Sequence, residues 1–165
     1  MLPNPLHPAV VHFPIAFAFL LPPTALVALL WSARAGKPRA IWWPVAALML
    51  LSLVSGVVAL KSGEATEDRV EQVVAKRLIH EHEERAEGFM VAAWIGLALA
   101  AAGFLKGRLG AAARWAFLAA ALVMVAQVTW TGKLGGALVY EHGAASAYAR
   151  PAAPQPAVHG EDNEH

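Results

Sequence analysis

The side chains in this sequence that could bind a cofactor are histidines: His7, His12, His80, His82, His142, His159 and His165, seven in a chain without cysteine. Imidazole ligates b-type haem iron, zinc and copper, and it changes charge near neutral pH. The missing thiols exclude disulfides, thiolate metal sites, iron–sulfur clusters and covalent haem attachment through a CxxCH pair. With four methionines, a Cu(I) site of soft ligands is disfavoured. No phosphate loop, nucleophile elbow, nucleic-acid motif or internal repeat is visible. Neither independent catalysis nor a nucleic-acid partner is therefore expected.

These histidines have to be positioned by helices in lipid. The 165 residues are 58% hydrophobic and 15% charged, against about 45–50% and 25% in soluble domains. Four segments approach the roughly 20 apolar residues that a spanning helix needs: about 9–31, 41–60, 89–105 and 115–140, the last being apolar to 131 with an extension to 140. The backbone must satisfy its own polar groups in hydrocarbon, so the fold class is all-α. The expectation is an integral membrane four-helix bundle over residues 1–145, with lipid as its first partner. The first segment is read as retained: no Lys or Arg precedes it, and it is longer than a signal-peptide core.

The distribution of charge orients the bundle. The loop between helices 1 and 2 holds Arg34, Lys37 and Arg39, and that between helices 3 and 4 holds Lys106, Arg108 and Arg114; neither contains an acid. The loop between helices 2 and 3 has five basic and eight acidic residues. By the positive-inside rule the two acid-free loops face the cytoplasm of a bacterial inner membrane, and both termini face out. Every histidine then belongs to the outer half.

Residues 66–87 are expected to form an extra amphipathic surface helix between helices 2 and 3. Val70, Val74, Leu78, His82 and Ala86 recur every fourth residue, which places His82 on an apolar stripe and His80 toward water. His7-Pro8 reads as a helix start, with His12 about one turn inside. Gly132 and Gly136 share a face on which a helix or a flat ligand could approach closely. Trp31, Trp42 and Trp43 are expected at the inner interface. Gln127 and Thr129 are expected to bond between helices. Residues 146–165 read as a disordered outer tail, whose His159, Glu161, Asp162, Glu164 and His165 could recruit metal weakly.

Two end motifs carry a resemblance. His7-Pro8-x-x-Val11-His12-Phe13-Pro14-Ile15-Ala16 opens the chain, and Gly135-Gly136-x-Leu138-Val139-Tyr140-x-His142-Gly143 follows the last helix. With His82-x-x-x-Ala86 they make residues 5–145 resemble the bacterial membrane domain of unknown function 2231. The resemblance implies the four-helix fold and draws attention to His7, His12, His82 and His142. Such domains sometimes accompany cytochrome c modules, which implies a respiratory or electron-transfer setting. It supplies no activity.

Three readings follow. Non-covalent haem b is the first: His12 with His82 or His142 would be the ligand pair, with His7 in reserve and Gly132 and Gly136 beside the porphyrin. Its redox partner would be quinol or a periplasmic cytochrome c. A one-sided site could not by itself carry electrons across the bilayer. The second is a Zn or Cu site on His12, His82 and His142, with Glu83 or Glu141 nearby. The third is a structural or interaction subunit whose histidines bond backbone groups at helix ends.

Overall fold

The computed structural model describes residues 5–149. Helices α1 (His7–Val10) and α2 (His12–Ala35) are separated by Val11 alone, whose backbone stays right-handed, so they form one rod. Next come α3 (Pro38–Glu64), the short α4 (Glu67–Val70), α5 (Lys76–Ala102), α6 (Gly107–Tyr140) and a 3₁₀ turn, Ala144–Tyr148. Among the described residues there is no strand. The rod His7–Ala35, α3, α5 and α6 are each long and apolar enough to cross a bilayer. The fold is an all-α membrane bundle.

Local chemistry sets the turns. Gly36 (φ 65°) takes the left-handed conformation that ends α2, and its N–H reaches the Ser32 carbonyl at 3.2 Å. Pro38 lies in the first turn of α3, where a missing N–H costs nothing. At the same end, Arg114 is buried and donates to the carbonyl of Gly103, capping the C-terminus of α5. Trp42 is also buried there, its indole N–H donating to the Ala100 carbonyl at 2.9 Å. Trp42 is thus a core residue, unlike the interfacial Trp expected, whereas Trp31 and Trp43 are exposed. Spacing alone could not separate them, since adjacent helical residues differ in direction by about 100°.

Helix α2 packs against α3 and α6, and α5 against α6 and α3, so the order around the bundle is α2, α3, α5, α6. The centre is built from small residues, among them Ala18, Ala25, Ala93, Gly96, Ala100 and Ala121, around Trp42, Met49, Phe117 and Met124. Phe19, Val27, Leu51, Val91, Ile95 and Leu122 point outward. Lipid tails are as apolar as leucine, so association depends on close approach of backbones; small inward and large outward residues provide it.

The two helical hairpins repeat each other, although no repeat stands out in the sequence. Buried Pro14, Ala18, Leu21 and Ala25 of α2 correspond to buried Phe89, Ala93, Gly96 and Ala100 of α5, each pair 75 positions apart. Trp42, Met49 and Leu53 of α3 correspond at the same offset to Phe117, Met124 and Val128 of α6. The packing order matches an approximate two-fold relation about the bundle axis. His7 and His82 are also 75 apart.

The segment expected as a surface helix over 66–87 is divided. Its first part is α4, followed by a turn; the rest, from Lys76, continues into the spanning part of α5 without a break. Backbone hydrogen bonding ignores the polarity change at which a hydropathy boundary is drawn, so α5 begins well before residue 89. Past α6, Gly143 (φ 72°) reverses the chain. Ala144 is buried with Val74, Ile79 and Leu138, and the Arg69 guanidinium lies 5.2 Å from the Tyr148 ring centre. The packed chain therefore extends beyond residue 145. The expectations for His159, Glu161, Asp162, Glu164 and His165 lie outside the described residues.

Candidate functional site

All five described histidines lie at the end of the bundle opposite the basic loops, since the four long helices alternate in direction. They do not converge as a group. His7, the first residue of α1, and His82, seven residues into α5, meet across the bundle diagonal with ring centres 6.3 Å apart and planes at 84°.

Each imidazole is seated in the same way. His7 Nδ1–H donates to the Ala59 carbonyl at 2.9 Å, and the Ser62 hydroxyl, 3.3 Å from that nitrogen, donates to the same carbonyl at 2.8 Å. His82 Nδ1–H donates to the Thr131 carbonyl at 3.1 Å. A carbonyl only accepts, so each Nδ1 carries a proton, and in the neutral form of either ring the lone pair is then on Nε2. Neither Nε2 has a hydrogen-bond partner among the described residues.

Glycine lies beneath each ring. A Cβ on Gly63 would approach His7 Cε1 and Nδ1 to 3.2 Å, and one on Gly135 would approach His82 Cε1 to 3.0 Å. Gly63 is four residues after Ala59, and Gly135 is four after Thr131. In each hairpin, therefore, the carbonyl that holds the imidazole and the glycine that admits it form one small-x-x-x-small groove.

His12 and His142 stand apart. Both are exposed, with no side-chain hydrogen bond among the described residues. Five residues beyond His7, His12 is turned about 140° around the rod. His142 follows the end of α6 and cannot share its inward face. The three-histidine arrangement on His12, His82 and His142 is accordingly not formed. No group of three His, Asp or Glu side chains among the described residues is placed to hold a metal ion.

Gly132 and Gly136 meet open space, so the glycines of α6 anticipated beside a ligand are not the ones against the imidazole. The signal for Gly135 lay next to them: Thr131-x-x-x-Gly135 has the same spacing, one residue out of register. Gly63 and Ser62 escaped notice because helix 2 carries no ionisable side chain within its apolar stretch. Thr129 bonds the Val125 carbonyl of its own helix at 2.7 Å, not a neighbouring helix. Gln127 packs over Gly88 of α5.

Around the pair the surface is charged. His80 is exposed as expected, with Nε2 3.4 Å from Glu84 and Nδ1 4.0 Å from Glu83. Lys76 pairs with Glu71 at 2.6 Å, and Arg85 lies over the Trp130 ring at 5.3 Å.

The family model described as a predicted membrane protein, DUF2231, matches residues 3–147. Comparison with curated proteins and with solved structures gave no match.

Proposed function

Because the chain belongs to the DUF2231 family of predicted membrane proteins, a description that names no activity, we propose a function from the histidine pair itself: non-covalent haem b held between His7 and His82. The observation that carries this reading is the facing pair of imidazoles, each with Nδ1–H on a main-chain carbonyl. Ligating histidines commonly donate their second N–H to a carbonyl or carboxylate, which fixes the tautomer and frees the other nitrogen for metal.

The two ring centres lie 6.3 Å apart with planes at 84°, an edge-to-face approach. What favours ligation is the duplicated seating, which leaves the Nε2 of each half-buried ring without a protein donor among the described residues. With two nitrogen donors and no third nearby, haem, which brings four equatorial nitrogens of its own, suits the donor set better than zinc.

Bound haem would supply one-electron transfer and nothing further from the cofactor is required. Ala59 and Thr131 hold the two rings, Ser62 braces the first carbonyl, and Gly63 and Gly135 let the rings lie close to the helices. The site is at one end of the bundle, so exchange would be with a carrier on that side, quinol or a periplasmic cytochrome c. With the basic loops cytoplasmic, that side is the outside of a bacterial inner membrane.

The test is an optical spectrum of the protein expressed with haem supply and purified in mild detergent. A Soret band and the alpha band of a low-spin bis-imidazole haem are expected. Protein that remains colourless and iron-free overturns the reading and leaves a structural or interaction subunit. Stoichiometric zinc or copper in place of iron would favour the other metal reading.

A further inference from the structure

We propose that a groove between α2 and α3, at the basic end of the bundle, holds one anionic phospholipid. Its phosphate would lie on Arg34, and an acyl chain would run along α2. This site is at the opposite end from the histidines and does not depend on them.

The groove has a volume of about 500 Å³ and is lined by Leu20, Thr24, Ala28 and Trp31 of α2 with Ile41 and Pro44 of α3. A second depression of about 370 Å³ shares Val27 and Trp31 with it and reaches Arg34. From Leu20 to Trp31 the helical rise is about 17 Å, close to the roughly 15 Å of hydrocarbon in one leaflet. Arg34 stands one turn beyond that span, at headgroup depth, and Trp31 is an exposed aromatic at the boundary. The apolar groove is thus about as long as one lipid tail, and the charge, on Arg34, lies in the depression that adjoins its Trp31 end.

Charge selects the headgroup. Arg34, Lys37 and Arg39 are exposed, and none meets a carboxylate among the described residues. No acid lies in the turn between α2 and α3. Basic side chains beside a groove between spanning helices attract anionic lipid, each contributing about fivefold in binding. Thr24 is the only hydroxyl in the lining, which leaves little to recognise a polar ring within the membrane. A phospholipid, polar at one end only, matches that distribution.

The experiment is native mass spectrometry of the full chain released from bilayers of phosphatidylethanolamine and phosphatidylglycerol in equal amounts. Wild-type protein should retain phosphatidylglycerol several-fold over phosphatidylethanolamine. R34Q should lower that preference about fivefold, R34K should keep most of it, and T24F should lower retention of both lipids by filling the groove. Circular dichroism identifies any variant that does not fold, and R34K and T24F are independent of R34Q. Equal retention of the two lipids overturns the proposal. So does a preference unchanged in both R34Q and the triple variant R34Q/K37Q/R39Q. A retained quinone, or a second copy of the chain in place of lipid, also overturns it.

Discussion

The two imidazoles that meet do so through what lies behind them, so the sharpest tests concern single atoms. His7→Ala and His82→Ala should each abolish the low-spin haem spectrum, whereas His12→Ala and His142→Ala should leave it, because only the first pair face each other. Haem content per protein, measured as the pyridine complex, checks this. Equal loss across all four variants would contradict the pair.

Glycine substitutions extend the test without touching a ligand. Gly135→Val places methyl groups where the His82 ring lies and should weaken haem retention about 10–100-fold, the usual cost of disturbing what orients a ligand. Gly132→Ala and Gly136→Ala enter open space and should keep the spectrum while adding up to about 1 kcal/mol of helix propensity each. Haem titration and thermal unfolding of the four proteins separate the cases.

At the scale of helices, the basic end depends on close contact of α3, α5 and α6. A Cβ on Gly103 would collide with the Trp42 indole nitrogen, so Gly103→Ala should destabilise by about 1–3 kcal/mol through overpacking. Trp42→Phe removes one buried hydrogen bond and should cost about 0.5–1.5 kcal/mol for that bond. Thermal unfolding in a fixed detergent ranks the two; a neutral Gly103→Ala would show that the indole can shift freely. Lengths and ends of the helices were less legible in the sequence than their existence. Apolar runs located all four spans, yet α5 and α6 begin 13 and 8 residues before the expected 89 and 115. Their first turns are polar, and a hydropathy boundary records where lipid contact begins, not where backbone bonding does.

For the whole molecule, the reading to test is orientation. The chain lacks cysteine, so single cysteines report cleanly. Lys37→Cys, in the turn between α2 and α3, should resist a membrane-impermeant maleimide in intact cells, and Gln72→Cys, beyond α4, should react. Both positions are exposed. The reverse pattern would invert the topology and move the histidine pair to the cytoplasmic side. His7 and His82 occupy equivalent places in the two hairpins, so on the proposed haem reading neither imidazole should be dispensable.

Composition and apolar run length alone determined that this is an all-α protein with four membrane helices, because hydrocarbon admits few other backbones. Alternation of four spans then sufficed to bring the described histidines to one end. The every-fourth-residue stripe was enough to turn His82 inward and His80 outward, since a helix face follows from periodicity. Which histidine faces His82 was decided only by tertiary structure. His12 looked the better partner because it lies deeper in the apolar run, but the direction of a side chain depends on how its helix is rotated against its neighbours. That rotation is set by the small residues at the bundle centre, 75 positions apart in the two hairpins. It aims His7, not His12, at His82, and it makes Gly135, not Gly132 or Gly136, the surface on which His82 rests.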